Sequence, residues 1–180
     1  MVMESNENTA GKARKVRCLV FDVDGVLTDG RIFLDGAGGE LKAFDVKDGQ
    51  RLVMAREAGF RIVFLTGRTS GAVSRRAEEL SVDRVIQGAG DKGTVLRRLL
   101  EEENLGEEEI AYLGDDLADL PAMRAAGFSG AVGDAAPEVI ESADWISAAA
   151  GGRGAAREFV EFVLRSQGLW EGAVAKTGGR

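Results

Sequence analysis

The stretch VRCLVFDVDGVLTDG, residues 16–30, decides the fold. Val16 to Phe21 is a largely apolar run of strand length, and it ends on Asp22 and Asp24. Two residues apart, those carboxylates lie on one side of an extended segment. Working outward, RIVFLT (61–66), RVIQ (84–87), IAYLGD (110–115), FSGAVG (128–133) and DWIS (144–147) repeat the pattern of a short buried strand. Helix-like stretches separate them at 50–58, 71–80, 92–103 and 120–125. Gly59 and Gly127 are placed as C-terminal stops, and Thr69 or Ser70 as an N-cap. Strand and helix in alternation predict an α/β fold, a Rossmann-like parallel sheet with helices on both faces.

Two segments break the rhythm. RIFLDGAGGELKAF (31–44) reads as a β-hairpin around a Gly-rich turn, inserted in the first crossover. Near the other end, Ala155, Ala156, Phe159, Val160, Val163 and Leu164 form one helical stripe behind the glycine-rich loop AAAGGRGAA. The first 15 residues, MVMESNENTAGKARK, carry no apolar core of a signal peptide and are expected to form a disordered tail. Residues 16–170 are expected to form a single domain, and 171–180 a second tail.

Composition narrows the chemistry. A chain of 180 residues, 44% hydrophobic, suits one core, and a net charge of −7 argues against nucleic acid as a partner. No run approaches a membrane span. The single cysteine, Cys18, permits no intramolecular disulfide and sits in an apolar run, which fits a core residue in a reducing cytoplasm. There is no histidine, so Ser-His-Asp hydrolysis, Cys-His proteolysis, phosphohistidine chemistry and His-built zinc sites are excluded. Carboxylates, lysines, hydroxyls and a metal remain.

Those groups fall at strand ends, where open α/β sheets place their ligands. Asp22 and Asp24 close the first strand; Thr66 follows RIVFL; Lys92 opens the helix after RVIQGAG; Asp115, Asp116 and Asp119 follow IAYLG. Singly, each aspartate fits a turn or a helix cap. Together they would repel one another unless a hard cation such as Mg²⁺ joined them. A metal, a lysine and a hydroxyl converging on one carboxylate suit phosphoryl transfer.

DVDGVLTDG (22–30), TGR (66–68), Lys92 and GDDLADL (114–120) resemble, in order and in strand-end placement, the four motifs of the haloacid dehalogenase-like phosphatases. Over residues 16–170, the hairpin with LKAFDVKDG, then QGAGDKG, AVGDAAPEV and GGRGAAREFVE, resemble the branch of that family acting on 3-deoxy-D-manno-octulosonate 8-phosphate. The resemblance implies a capless fold and a homotetramer built partly through the hairpin. It implies a sugar-acid phosphate as substrate and a place in lipopolysaccharide precursor synthesis. It also implies that Asp22 attacks phosphorus and that Asp24 serves as acid and then base. Thr66 and Lys92 hold the phosphoryl oxygens. Mg²⁺ is held by Asp22, Asp115 and the carbonyl of Asp24, with Asp116 and Asp119 in support.

Substrate contacts are expected from Asp24, Lys92, Asp45, Val46, Lys47, Asp48, Gly49, Arg68 and Arg76. Arginine suits a sugar-acid carboxylate because its fork can grip two oxygens. Arg76 fits equally a helix-surface pair with Glu79. One departure stands out: the family pattern after DG has a second glycine and then a basic residue, where this chain has Arg51 and Val53. The departure keeps a second sugar-acid ester, such as a nonulosonate 9-phosphate, in play. A non-catalytic scaffold is the reading of a different class.

Overall fold

The computed structural model describes residues 2–178. Six parallel strands form the sheet: β1 (Cys18–Phe21), β4 (Arg61–Leu65), β5 (Arg84–Ile86), β6 (Ile110–Gly114), β7 (Phe128–Ala131) and β8 (Trp145–Ile146). Their order is β5-β4-β1-β6-β7-β8, with Cys18 opposite both Arg61 and Ile110. The chain leaves β1 towards one edge and returns past it to fill the other. The switch point therefore lies at the carboxyl end of β1, where such sheets bind ligands. All four residues of β1 are buried, as a strand covered on both faces requires.

Helices α2 (Val46–Glu57), α3 (Gly71–Leu80), α4 (Lys92–Glu103), α5 (Leu120–Ala125), α6 (Pro137–Ser142) and α7 (Ala155–Ser166) follow or link the strands. They pack in two groups, α2 on α7 and α4 on α5. The six apolar residues of the stripe on α7 are its buried face. Phe159 from that face stacks on Phe128 of β7, ring centroids 5.4 Å apart. The hairpin is present as β2 (Phe33–Leu34) and β3 (Glu40–Leu41), antiparallel and separate from the main sheet. Cys18 is buried, and burial pushes its thiol up to about 12, so it stays a neutral core group.

The termini correct the sequence reading. Residues expected to be a tail form α1 (Val2–Ala13), which packs on α7. Ala13 is fully buried, Lys12 pairs with Asp144, and Gln167 Nε2 donates to the carbonyls of Ala13 and Val16. Among the described side chains of this helix only Ala13 is fully buried, so no periodic apolar stripe marks it in the sequence. At the other end α8 (Trp170–Gly178) docks on α2, with Ala173 buried; residues 179 and 180 lie outside the described residues. Among the described residues no helix is long and apolar enough to cross a membrane.

Candidate active site

The loop after β1 is built by its own small residues. Thr28, buried, donates its hydroxyl to the carbonyl of Val23 and accepts from Gly25 N–H and Gly30 N–H. Gly25 has φ 105°, and a Cβ there would stand 2.0 Å from Asp115 Oδ2, so the turn admits only glycine. From the far end of the chain Gly151 closes on the same loop, its missing Cβ leaving room for the Gly25 carbonyl. These approaches bring the end of β1 against the end of β6.

Lys92 lies at the centre. Asp91 caps α4 by accepting from Gly93 and Thr94 N–H, which turns the first helical residue inward. The Lys92 ammonium, buried, lies 2.6 Å from Asp22 Oδ1 and 2.6 Å from Asp119 Oδ1. Asp119 is a hub: Tyr112 donates its hydroxyl to Oδ1 at 2.6 Å, and Asp115 and Asp116 N–H donate to Oδ2 at 2.9 and 3.2 Å. Thr66 is buried at the end of β4, beside β1.

The electrostatics match a metal centre. Burial, the Asp119 charge second, raises Asp22 to about 6 against the pull of Lys92. Burial together with Asp22 and Asp119 raises Asp115 to about 8. Burial pulls Lys92 down, but the carboxylates of Asp22 and Asp119 outweigh it and hold the ammonium above its ordinary value. One cation does not balance three acids. Asp22, Asp115 and Asp119 each offer an oxygen within 4.8 Å of the others, and Asp24 Oδ2 is buried without a partner among the described residues. Hard oxygen donors crowded in this way fit Mg²⁺. Asp119 is already engaged by Lys92, Tyr112 and two N–H groups, which leaves Asp22 and Asp115 the less engaged carboxylates of the three.

Not every expected residue converges. Asp116 is exposed and accepts from its neighbour Leu117 N–H, while among the described residues the Lys92 ammonium bonds Asp22 and Asp119 instead. In the DVKDG stretch, Asp45 is the N-cap of α2, with Lys47 N–H 2.6 Å from its Oδ1, while Val46 and Lys47 face solvent. Asp48 is buried and turned the other way, accepting from Gly154 and Arg157 N–H at the start of α7. Gly49 packs under the Arg76 guanidinium. Arg76 makes the helix-surface pair with Glu79 at 2.9 Å and donates to the Asp45 carbonyl. Arg68, half exposed, pairs with Glu40 of β3 at 3.2 Å. Arg51, the departure from the family pattern, is engaged by Glu161 at 2.7 Å and lies over Trp170, on the side of the C-terminal helices.

Sequence reasoning missed Tyr112, which reads as one more apolar residue of a buried strand. It also missed Lys42, which bonds Asp24 Oδ1 from the hairpin. Alternation along ELKAF offered a signal: Lys42 must face opposite to Leu41 and Ala43.

A model of the haloacid dehalogenase-like hydrolases matches residues 81–159. A phosphatase of Escherichia coli K12, the 3-deoxy-D-manno-octulosonate 8-phosphate phosphatase KdsC, is 42% identical over 157 residues, 87% of this chain and 84% of that one. Among solved structures, a HAD superfamily (subfamily III A) hydrolase of Legionella pneumophila superposes with a TM-score of 0.95 at 37% identity, covering 99% of this chain and 98% of that one. The 3-deoxy-D-manno-octulosonate 8-phosphate phosphatase of Moraxella catarrhalis, solved with magnesium, phosphate and KDO, superposes with a TM-score of 0.92 at 37% identity, covering 95% and 98%. The fold and the carboxylate centre are those of a haloacid dehalogenase-like hydrolase. Within that superfamily the chain belongs to the 3-deoxy-D-manno-octulosonate 8-phosphate phosphatase family.

Proposed function

We propose that this protein hydrolyses 3-deoxy-D-manno-octulosonate 8-phosphate with Mg²⁺ as cofactor, through an aspartyl-phosphate on Asp22. The observation that carries the chemistry is the buried Lys92 bridge between Asp22 and Asp119 at the switch point, with Asp115 alongside. The substrate reading draws on the named relatives, and it is eased by Arg51, whose guanidinium is engaged by Glu161 and Trp170.

Asp22 attacks phosphorus; its new bond to phosphorus forms as the bond to the sugar oxygen breaks, and Asp24 delivers a proton to that oxygen. Asp24 then takes a proton from the water that releases phosphate. Lys92, held by Asp119, draws the phosphoryl oxygens into line, and Thr66 donates its hydroxyl to them. Mg²⁺ on the carboxylates of Asp22 and Asp115 and the carbonyl of Asp24 would supply charge neutralisation for the anionic ester. Arg68 meets the sugar-acid carboxylate.

The assembly we propose is a homotetramer, the number four coming from the family likeness. Its support in the chain is the hairpin, where Phe33, Leu34 and Leu41 are 57%, 75% and 69% exposed. We place its action in the cytoplasm, in keeping with a single buried thiol.

The test is Asp22→Asn, which keeps shape and removes the nucleophile. Turnover of the octulosonate ester should vanish while the circular dichroism spectrum stays that of the parent. Near-parental turnover would remove Asp22 from the reaction.

A further inference from the structure

Lys42 lies outside the four catalytic motifs, in the hairpin stretch LKAFDVKDG, yet its side chain is 0% exposed. It leaves β3 one residue past Leu41, whose side chain is out in solvent, and turns inward to bond Asp24 Oδ1. The same ammonium stands 3.7 Å from Glu40 Oε1, and the other Glu40 oxygen accepts from Arg68 Nη2 at 3.2 Å. A continuous run of opposite charges thus joins Asp24 to the hairpin and the hairpin to the loop after β4. Asp24 has one oxygen clasped. The other, Oδ2, is buried and without a partner among the described residues.

An ammonium only donates, so Oδ1 is committed as an acceptor and cannot also present a proton along that direction. Desolvating a lysine is costly, and a methionine would fill the same volume without that cost. The placement therefore asks for a role other than packing.

We propose that Lys42 is a positioning residue for the proton-transfer step: by holding Oδ1 it fixes the Asp24 side chain and assigns Oδ2 to the leaving-group oxygen. This deepens the proposed function and rests on the reading of Asp24 as the acid. It also makes the hairpin a contributor to the reaction centre of its own subunit.

The experiment compares two esters on the full-length, Mg²⁺-loaded protein. The octulosonate ester expels a basic alkoxide that needs a proton. p-Nitrophenyl phosphate expels a phenolate stable enough to leave without one. Lys42→Met should lower kcat/KM for the sugar ester at least about tenfold more than for the nitrophenyl ester, since a misplaced acid harms only the first. Lys42→Arg, which keeps a donor, should recover most of that ratio. Should Lys42→Met not fold, Lys42→Gln is read in the same way.

Equal losses on both esters would overturn the inference and leave Lys42 a packing residue. Asp24→Asn is measured alongside. If it discriminates between the esters and the lysine variants do not, the inference about Lys42 alone is wrong. If Asp24→Asn does not discriminate either, the assignment of Asp24 as acid has failed, and Lys42 with it.

Discussion

Asparagine at position 119 is the most exacting test of the buried network. Asp119 receives four donors: the Lys92 ammonium and the Tyr112 hydroxyl on Oδ1, and the Asp115 and Asp116 N–H groups on Oδ2. An asparagine side chain has the same outline, but its amide nitrogen accepts nothing. Whichever way it is turned, two of the four donors face a donor. The substitution also strips Lys92 of one of its two counter-charges while leaving the ammonium buried.

Removing one partner of a buried ion pair costs about 3–5 kcal/mol. At roughly 2–4 °C per kcal/mol for a chain of this size, Asp119→Asn should melt about 6–20 °C below the parent. Part of that loss is offset in chelator, where deleting a negative charge relieves Asp22 and Asp115. The drop should therefore be larger with Mg²⁺ than without. Tyr112→Phe removes a single hydrogen bond and should cost only about 1–2 kcal/mol. Thermal melts by circular dichroism, with and without Mg²⁺, read both effects. An Asp119→Asn protein melting within a couple of degrees of the parent in Mg²⁺ would refute the hub, as would a Tyr112→Phe protein less stable than Asp119→Asn.

The metal-free protein should lose stability as pH rises. Folding lifts Asp22 to about 6 and Asp115 to about 8, so the folded chain binds protons more tightly than the unfolded one between roughly pH 4 and pH 8. Melts in chelator at pH 5 and pH 8 check the sign, and Mg²⁺ should restore most at the higher pH; a melting point rising over that interval would contradict it. In activity titrations Asp115→Ala should weaken Mg²⁺ activation far more than Asp116→Ala, whose side chain caps only its own turn. Arg68→Ala should cost roughly ten- to a hundred-fold in kcat/KM for the sugar acid, the worth of a charged hydrogen bond, and much less for an ester lacking a carboxylate. Light scattering should report an oligomer that charged substitutions at Phe33 and Leu34 break; an active monomer would end the tetramer reading.

The residues that were legible are those whose surroundings are local. Asp22 and Asp24 announce themselves because a buried strand ends on them, and Lys92 because Asp91 caps the helix it opens. The strands could be read because a parallel sheet covered on both faces leaves continuous apolar runs. What escaped depends on partners far along the chain. Asp48 sits in a stretch expected to touch substrate, yet its carboxylate serves the start of α7, at Gly154 and Arg157. Tyr112 has the same apolar face as its neighbours in β6 until Asp119 comes round one turn later to meet its hydroxyl. Residues 2–13 carry too few apolar positions to look helical, and that helix takes its place by packing on α7, with Lys12 paired to Asp144 and Gln167 bonded to the Ala13 carbonyl.

The strand order has a further bearing, on when the protein acquires its chemistry. Cys18 to Phe21 is made early in synthesis, but one flank of β1 needs β4 and the other needs Ile110 to Gly114. Parallel pairing across such separations is slow, because loop entropy is lost before any contact repays it. On the ribosome, β1 must therefore wait as an apolar segment with an open edge until β6 has emerged. Asp22 can meet Lys92 and Asp115 only after most of the chain exists. A nascent chain halted before residue 110 would expose that edge to other chains, and self-association of such truncated products is the hazard this topology carries.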